Sequence, residues 1–360
     1  MNMYAKELLE QLKKEKILSK ENLVYLIDHR EEVREEAAKT ARTFGDRYYG
    51  KSIYPRGLVE FTNFCKNNCY YCGIRAGNRN VKRYRLSKEE ILQACENGYE
   101  IGYRSFVLQG GEDPYFHIDR MEDIVATIHE RYPECAITLS IGELNREQYQ
   151  RLFDAGANRY LLRHETADEK HYRMLHPDSM SLAYRKQCLY DLKEIGYAVG
   201  TGFMVGSPFQ TTEHIAKDLL FIKKLDPQMV GIGPFVPHHD TRFKDEPAGT
   251  VELTVFLLSL IRIMKPNVLL PATTALGTID PEGREKGILA GANVMMPNLS
   301  PVMVRKNYDL YDNKLCTGEE AAESKKTQSE RMKAIGYYLD FCRGDYKEDE
   351  IEPERSTNGY

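Results

Sequence analysis

Short apolar runs alternate with longer segments of helical periodicity along most of this 360-residue chain. The apolar runs predict eight buried strands: Gly57 to Asn63, Ser105 to Gln109, Ala136 to Ile141, Arg159 to Glu165, Tyr197 to Val205, Gln228 to Phe235, Val268 to Thr274 and Ala292 to Asn298. Between them, Ser87-x-x-Glu90 predicts a capping box that starts a helix reaching about Gly98. Such alternation is typical of parallel strands joined by crossover helices, so it predicts an α/β fold, a (β/α)8 TIM barrel with its active site at the carboxyl ends of the strands.

Helical patterns flank the predicted barrel on both sides. Residues 1–55 predict an N-terminal extension of two or three helices, with Ser19 as a candidate N-cap, and residues 56–315 form the barrel. Residues 316–346 predict a C-terminal helical segment that runs from Glu319 to about Arg343. The last residues, 347–360, are charged and poor in apolar side chains, which predicts a disordered tail. No repeat or linker indicates a second globular domain.

The overall composition excludes several classes of function. A formal net charge of -4 and a pI near 6.2 argue against a nucleic-acid-binding surface. The segment Met1 to Ile17 has no uninterrupted apolar stretch, so we expect neither a signal peptide nor a membrane anchor. Eight cysteines in a chain of this length fit a reducing compartment better than a disulfide framework, and we expect a cytoplasmic protein.

Three cysteines directly follow the first predicted strand. Cys65, Cys69 and Cys72 have the spacing C-x3-C-x2-C, with the aromatic Tyr71 before the last, a pattern typical of radical S-adenosylmethionine (SAM) enzymes. Three thiolates hold three irons of a 4Fe-4S cluster and leave the fourth iron free for the amino and carboxylate groups of SAM. An electron from an external donor then passes through the cluster, breaks the sulfonium and yields a 5'-deoxyadenosyl radical. The cluster would make the protein oxygen-sensitive.

A structural zinc site and a chance grouping of cysteines are the simpler interpretations of this motif. Zinc requires four tetrahedral ligands, and within 40 residues of Cys72 the only further Cys or His is Cys95, which lies in a helical pattern. The position of the motif at the end of a barrel strand also favours the radical SAM interpretation. Elsewhere, His238, His239 and Asp240 either bind a metal or decorate a polar loop.

The fourth predicted strand carries charged side chains toward the barrel lumen. Alternation places Arg159, Leu161, Arg163 and Glu165 on one face, and Tyr160, Leu162 and His164 on the other. A buried charge is costly unless it is paired, so Arg163 and Glu165 bind a polar ligand or each other. Glu165 is a candidate acceptor from SAM hydroxyl or ammonium groups, and Arg163 is a candidate for a substrate carboxylate. A purely structural ion pair is the alternative.

Further polar and small residues lie where other predicted strands end. The second strand is followed by Gln109, Gly110, Gly111 and Glu112, and the two glycines allow a ligand to approach the backbone closely. This segment fits the radical SAM element that binds the methionine amino group of SAM. Gly200, Gly202, Met204 and Gly206 form a track of mostly small residues that is a candidate seat for adenine. Hydroxyl groups at the barrel mouth come from Thr138, Ser140, Thr273 and Thr274. Met296 is a candidate to pack on adenine, although core packing is its simpler role. Arg185 is a candidate for the SAM carboxylate, although a solvated helix arginine is the simpler interpretation.

Longer stretches of the chain resemble the HydE family, the radical SAM maturases of FeFe hydrogenases. The similar segments run through nearly the whole barrel: Cys65 to Arg75, residues 82–85 (KRYR), residues 108–115 (LQGGEDPY), residues 160–166 (YLLRHET), Met229 to Phe235 and residues 271–275 (PATTA). Together these segments are far more specific than the cysteine motif.

The resemblance implies a complete barrel with SAM held near Glu165, Arg185 and Met296. It implies a substrate cavity lined by Ser140, Arg163, Thr273 and Thr274. It further implies that the adenosyl radical attacks a cysteine-bound Fe(CO)2CN complex during assembly of the diiron subcluster. The implied partners are a tyrosine-cleaving radical SAM maturase, which delivers the complex, and a GTPase scaffold maturase.

The chain departs from part of the family at the C-terminus, where some members carry a second iron-sulfur cluster on three cysteines. In this chain only Cys316 lies at one of these three cysteine positions, and Ser324 and its neighbours replace the other two cysteines. We therefore expect a single cluster. Cys342 is too distant to restore the spacing.

Other functions remain as alternatives. The nearest is a methylornithine-synthase-like radical SAM mutase acting on an amino acid, which shares the barrel and a similar GEDPY segment. A biotin-synthase-like activity needs auxiliary-cluster ligands in the barrel, where Cys95, Cys135 and Cys188 are not expected. A non-catalytic iron-sulfur carrier would need the cysteines but no SAM pocket.

Overall fold

The computed structural model describes residues 3–315 and 321–348. Its strands are β1 (Ser52–Pro55), β2 (Gly57–Thr62), β3 (Ser105–Gly110), β4 (Ala136–Ser140), β5 (Arg159–Leu161), β6 (Ala198–Thr201), β7 (Met204–Val205), β8 (Met229–Val230), β9 (Gly233–Pro234), β10 (Val294–Met295) and β11 (Tyr338–Leu339). Its α-helices are α1 (Met3–Glu15), α2 (Lys20–Asp28), α3 (Arg34–Tyr49), α4 (Lys88–Glu100), α5 (Ile118–Arg131), α6 (Arg146–Asp154), α7 (Glu169–Leu175), α8 (Leu182–Ile195), α9 (Thr212–Leu225), α10 (Val251–Met264), α11 (Thr274–Ile279), α12 (Gly283–Leu289), α13 (Val302–Arg305) and α14 (Ala321–Ala334). A short 3₁₀ helix spans Arg30–Glu32.

Parallel strands close into a ring of eight positions. Six of them form one sheet in the order β2-β3-β4-β5-β6-β8. Bridges from Met229 to Leu269 and from Pro271 to Val294 continue the ring through residues 269–271 to β10. β10 and the residues after it pair with β1 and β2, as in the Leu58–Asn298 bridge, which completes the circle. The predicted (β/α)8 barrel is therefore confirmed.

Several predicted strands are shorter than expected at the carboxyl end of the barrel. β5 ends at Leu161, and Glu165 returns to the sheet only through a bridge to Phe203. The fifth predicted strand divides into β6 and β7 at Gly202, where a Cβ would stand 1.9 Å from Gly231 O. Residues 268–274 were expected to form a strand, but Thr274 begins α11. Irregular backbone therefore carries many of the residues at the mouth of the barrel.

The N-terminal helices α1 to α3 cover the outer helices α9 and α10. Their apolar faces belong to one core cluster with α9 and α10, because Leu8, Leu23 and Leu26 pack in the same buried group as Leu219 and Leu257. The caps predicted from the sequence are present: Ser19 accepts from Asn22 N, and Ser87 forms a capping box with Glu90. Among the described residues, no helix is both long and apolar enough to cross a membrane.

The C-terminal segment closes the opposite, amino-terminal end of the barrel. The helix predicted through Arg343 is wrong beyond Ala334, because the chain turns at Gly336 (φ 82°) and β11 pairs with β1. The buried guanidinium of Arg159 then donates to the carbonyl oxygens of Arg343 and Gly344 and to Asp345. β1 itself lies inside the predicted helical extension 1–55. Cys316 and the tail from residue 349 lie outside the described residues.

Candidate active site

The three cysteines lie on a loop that follows β2 at the carboxyl end of the barrel. Backbone hydrogen bonds attach this cysteine loop, residues 64–86, to other segments: Lys66 N donates to Glu112 O at 2.8 Å, Tyr70 N to Leu175 O at 3.0 Å and Gly73 N to Leu310 O at 2.9 Å. The loop is therefore fixed at three points around the mouth of the barrel.

Arg83 holds the cysteine loop together from within. Its guanidinium donates hydrogen bonds to four backbone carbonyls, those of Asn63, Ile74, Arg75 and Asn78. Hydrogen bonds that involve a charged group each contribute about 1.5–3 kcal/mol, but Arg83 is only half-buried, so water replaces part of these bonds and their total contribution is smaller than the sum. One side chain thus joins the residues before and after the cysteines.

The environment of the thiols suits a metal cluster. Burial raises the pKa of all three thiols, and for Cys72, which also lies near Cys65, the pKa reaches about 12. The thiols are therefore neutral at pH 7 unless a metal stabilises their thiolates.

Arg185 is buried beside the cysteine loop in a chain of charged groups. Its Nε–H donates to Glu143 Oε1, and its Nη1–H donates to Arg163 O at 3.1 Å. Glu143 N donates in turn to Glu112 Oε1 at 3.1 Å. Burial opposes the charge on Arg185, but Tyr172 and the carboxylates Glu143 and Glu112 raise the pKa of its guanidinium. Acidic and basic groups side by side are suited to the ammonium and carboxylate of an amino acid.

Arg163 and Glu165 pair with each other at the mouth of the barrel. Arg163 Nη2 lies 3.3 Å from Glu165 Oε2, and the two side chains are 30% and 11% exposed. Both atoms are buried and lack a well-formed hydrogen bond among the described residues. Glu165 also has a φ of 64°, a conformation that costs a non-glycine residue about 1–3 kcal/mol and is found mostly at functional sites. The ion pair is present, and its polar atoms retain capacity for a ligand.

Tyr71 is fixed by His176, a histidine that no sequence pattern indicated. Its hydroxyl lies 3.1 Å from His176 Nε2, and His176 Nδ1 lies 3.0 Å from Tyr172 O. Burial lowers the pKa of His176 to about 3, so the ring is neutral. Because the carbonyl only accepts, Nδ1 carries the proton and Nε2 accepts from the Tyr71 hydroxyl. The aromatic ring beside Cys72 is thus held in one orientation.

A small cavity with a volume of about 20 Å³ lies in the barrel lumen. Arg56, Thr138, Leu161, Met229 and Met296 are among the residues that line it. Thr138 Oγ1 and the Nε and Nη2 atoms of Arg56 are buried and have no hydrogen-bond partner in residues 3–315 and 321–348. An unsatisfied buried polar group costs about 1–3 kcal/mol. A cavity of this size has room for about one water molecule, which can satisfy some of these groups.

The predicted glycines pack closely against the chain itself. A Cβ on Gly111 would stand 2.1 Å from Phe64 O, and one on Gly110 would stand 2.8 Å from Thr62 Cγ2. Likewise, a Cβ on Gly200 would stand 2.7 Å from Leu161 Cδ1. These glycines allow strands and the cysteine loop to approach one another, whereas the sequence predicted that they leave space for a ligand.

The remaining predicted residues lie around the same mouth. Gln109 Nε2 donates weakly to Tyr308 OH at 3.4 Å, and Ser140 is half-buried at the end of β4. Thr273 Oγ1 is buried without a partner among the described residues, and Thr274 is the first residue of α11. The carboxyl ends of β2, β3, β4 and β5 and the start of α11 therefore bring these residues to one end of the barrel.

The outer face of the fourth predicted strand, which contains β5, agrees with the predicted alternation. Tyr160, Leu162 and His164 point away from the lumen and are buried. His164 Nδ1 lies 2.9 Å from Thr201 Oγ1, and its Nε2 lies 3.4 Å from Asp218 Oδ1. Burial lowers the pKa of His164 to about 3. Ala167 N also donates to Asp218 Oδ1, so α9 holds the chain two residues after the strained backbone at Glu165.

The arrangement of His238 and His239 near the barrel mouth is explained by ion pairs without a metal ion. The ligand atoms of His238, His239 and Asp312 lie within 4.8 Å of one another. However, His239 Nδ1 lies 2.6 Å from Asp312 Oδ1, and its Nε2 lies 3.4 Å from Asp240 Oδ2. The bond to Asp312 raises the pKa of His239, so a charged imidazolium between two carboxylates accounts for the arrangement.

Several residues of the site were absent from the sequence-based prediction. Glu143 follows the third predicted strand by two residues, so the rule that functional groups lie at strand ends could have found it. Met180, whose sulfur lies 3.6 Å from Cys69 Sγ, and His176 lie between α7 and α8, where no strand end marks them. Arg83 was included only as part of a similar segment, and Arg56 stood just before the first predicted strand.

Comparison with known proteins agrees with this arrangement. Residues 59–222 match the family model of the radical SAM superfamily. The [FeFe] hydrogenase maturase subunit HydE of Thermotoga maritima is 44% identical over 318 residues, which cover 88% of this chain and 90% of the relative. The 3-methylornithine synthase of Methanosarcina acetivorans is 31% identical over 289 residues, which cover 78% of this chain and 79% of the relative.

A solved structure supports the fold independently. The FeFe-hydrogenase maturase HydG from Carboxydothermus hydrogenoformans matches with a TM-score of 0.76 at 20% identity, covering 94% of this chain and 80% of that chain. Its likeness concerns the barrel alone. The family model and the extensive identity to HydE establish that this chain is a radical SAM enzyme and a member of the HydE family.

Proposed function

We propose that this protein reductively cleaves SAM and acts in the maturation of an FeFe hydrogenase. The observation that carries the proposal is the meeting of three half-buried cysteines with incompletely satisfied charged groups, Arg163 and Glu165, at one end of a closed barrel. The relative at 44% identity, a hydrogenase maturase, supports the pathway. When bound, the cluster and SAM supply an electron and a 5'-deoxyadenosyl radical, respectively.

The chain's own residues hold these groups in the proposal. Cys65, Cys69 and Cys72 ligate one 4Fe-4S cluster, and the fixed ring of Tyr71 shields it from solvent. Glu165 and Arg185 bind the polar groups of SAM, because both are buried and charged beside the cysteine loop. The segment from Gln109 to Glu112, which includes Gly110 and Gly111, accepts the SAM ammonium, and Met296 packs on adenine.

The substrate occupies the mouth and lumen of the barrel. Ser140, Arg163, Thr273 and Thr274 contact it. Thr273 Oγ1 and Arg163 Nη2, which lack a well-formed hydrogen bond among the described residues, supply donors for an anionic or carboxylate group. We propose a cysteine-bound Fe(CO)2CN complex, delivered by a tyrosine-cleaving radical SAM maturase and passed on toward a GTPase scaffold maturase. A closed barrel protects such a reactive substrate from water and oxygen.

A second cluster is not part of the proposal, because Cys316 lacks neighbouring cysteines in the sequence. Anaerobically reconstituted protein should contain about four iron atoms per chain, the content of one 4Fe-4S cluster. Cys316→Ala should retain this iron content and SAM cleavage. A loss of either would show that Cys316 takes part in the cofactor chemistry.

Production of 5'-deoxyadenosine from SAM by the reduced protein tests the cleavage step. Cys69→Ala should abolish this product, whereas Cys342→Ala, which changes an exposed cysteine far from the loop, should retain it. If the unaltered protein contains an intact cluster but forms no 5'-deoxyadenosine, the result would favour an iron-sulfur carrier instead.

The 31% identity to 3-methylornithine synthase favours a mutase as the second candidate. Incubation of the reduced protein and SAM with lysine separates the two. Consumption of lysine with formation of a branched isomer would assign the mutase function, whereas unchanged lysine during SAM cleavage would leave the maturase function.

A further inference from the structure

The cysteine loop is strongly basic. From Cys65 to Leu86 the sequence contains six Lys or Arg residues and no Asp or Glu, although the whole chain has a net charge of -4. The six residues are Lys66, Arg75, Arg79, Lys82, Arg83 and Arg85. Averaging over the whole chain therefore conceals a local excess of positive charge beside the cysteines.

Some of these cations have structural partners. Lys66 pairs with Glu112 at 3.2 Å, and Arg85 forms two hydrogen bonds to Asp113. Arg83 is the clamp that binds four loop carbonyls. Arg75 donates to Asn68 Oδ1 and to Asp240 O. These four residues are therefore already explained by the architecture of the loop.

Arg79, Lys82 and Arg242 differ because their charges face solvent. All three are exposed, and the structure gives none of them a carboxylate partner within residues 3–315 and 321–348. Arg242 follows β9, and its guanidinium lies 3.7 Å from the centre of the Tyr70 ring, next to Cys69. The nearby acidic Asp240 is engaged by Asn80 and by His239.

The geometry of the barrel restricts how an electron reaches the cysteines. One side of the loop faces the lumen, which SAM and the substrate occupy in the proposed function. The other side carries the exposed residues of the loop, including Lys66, Ala76 and Gly77. A donor protein must therefore approach from the exposed side, where the uncompensated cations lie.

We propose that Arg79, Lys82 and Arg242 form the docking surface for an acidic one-electron carrier protein that reduces the cluster. In this step one electron passes to the cluster, the carrier is oxidised by one electron, and no covalent bond forms or breaks. The inference rests on the proposed function, because docking at this loop requires a cluster to reduce. Complementary charge accelerates protein association by about 10- to 1,000-fold and loses its effect at high salt.

Charge reversal on the reconstituted protein tests the proposal. The test variant combines Arg79→Glu, Lys82→Glu and Arg242→Glu, and the control variant combines Lys14→Glu, Lys39→Glu and Lys326→Glu, which reverse three exposed lysines on α1, α3 and α14. Both variants change the net charge by the same amount. The probe is a purified flavodoxin, an acidic flavin protein, with photoreduced neutral deazariboflavin as the small-molecule reductant.

Two readouts separate docking from catalysis. Calorimetric binding of oxidised flavodoxin at low salt should weaken about 10-fold or more in the test variant and stay unchanged in the control variant. Formation of 5'-deoxyadenosine should slow to a similar extent with flavodoxin but not with deazariboflavin. The differences between the test variant and the unaltered protein should shrink at high salt. If the test variant fails to fold, Lys82→Gln should show the same pattern, with smaller losses of flavodoxin binding and of flavodoxin-dependent 5'-deoxyadenosine formation.

Unchanged flavodoxin binding in the test variant would overturn the docking surface. Equal losses with both reductants would also overturn it, because the residues would then support the cluster itself. If the unaltered protein cleaves no SAM with either reductant, the proposed function fails, and the binding measurement still decides whether this surface captures an acidic protein.

Discussion

Arg185→Met tests the buried charge network beside the cysteine loop. The side chains of Arg185 and Glu143 are only 9% and 12% exposed, and the guanidinium also donates to Arg163 O. Methionine retains much of the apolar volume but leaves Glu143 without its counter-ion. Removal of one partner from a buried ion pair costs about 3–5 kcal/mol.

Protonation of the remaining carboxylate limits this cost. For a glutamate side chain in water, with a reference pKa of about 4.3, protonation costs about 4 kcal/mol at pH 7 and about 1 kcal/mol at pH 5. We therefore expect Arg185→Met to lower the free energy of unfolding by about 3–4 kcal/mol at pH 7 and by about 1–2 kcal/mol at pH 5. The pH dependence separates an unpaired charge from a simple loss of packing, which would be equal at both pH values.

Anaerobic urea unfolding of Arg185→Met, Glu143→Gln and the double variant at both pH values measures these effects. The double variant removes both charges, so at pH 7 it should be about 2 kcal/mol more stable than the sum of the single changes predicts. An equal loss at pH 7 and pH 5, or strict additivity of the two changes, would refute the argument that the pair is electrostatically coupled.

Three further predictions follow from local geometry. Arg83→Ala removes the loop clamp and should lower the free energy of unfolding by about 2–4 kcal/mol and reduce the bound iron, whereas Arg79→Ala on the same loop should retain both; equal iron in the two variants would contradict the clamp. Gly111→Ala places a Cβ 2.1 Å from Phe64 O, so iron content and SAM cleavage should fall together, and full activity would show that this contact relaxes freely. Burial would raise the pKa of Asp168, but hydrogen bonds from Lys217 and His171 N lower it to about 2. Because the pKa of Asp168 in the folded protein lies below the unfolded value near 4, the stabilisation is complete above about pH 4 and disappears toward pH 2. In urea unfolding, Asp168→Asn should therefore have a free energy of unfolding roughly 1–2 kcal/mol lower than that of the unaltered protein above about pH 4, and this deficit should narrow toward pH 2. A constant deficit would contradict the assignment.

The sequence predicted the barrel because its strong signals are local. Continuous apolar runs marked the eight ring positions, and the period-two pattern separated Glu165 on the lumen side from His164 on the helix side. The cysteine spacing and the rule that parallel strands end at one face predicted a candidate site at the carboxyl end of the barrel. These features depend on neighbouring residues alone.

The remaining features depend on contacts between distant residues. The chain leaves the sheet after Leu161, and the close approach of Gly202 to Gly231 O is not encoded in either segment alone. β11 is two residues long and forms only by pairing with β1, so its apolar pattern resembled the end of a helix. Glu143 and Arg185 are 42 residues apart and became a pair only through the packing of α8 against the end of β4.

The same limitation applies to the glycines near the site. Gly110 and Gly111 predicted close approach of some group to the backbone, and the structure identifies that group as strand β2 for Gly110 and as the cysteine loop for Gly111. A glycine therefore revealed that space was restricted, but not which atoms restricted it. Only the three-dimensional arrangement distinguishes a ligand from a neighbouring segment.

An anaerobic maturation assay tests the central claim most directly. The reconstituted protein is combined with SAM, a reductant, the tyrosine-cleaving and GTPase maturases and an FeFe hydrogenase lacking its diiron subcluster, and hydrogen evolution is measured. We predict activity with the unaltered protein and with Cys342→Ala, and none with Cys69→Ala or without the protein. Absence of hydrogen evolution, while the same preparation cleaves SAM, would contradict the maturase function and leave a radical SAM enzyme with a different substrate.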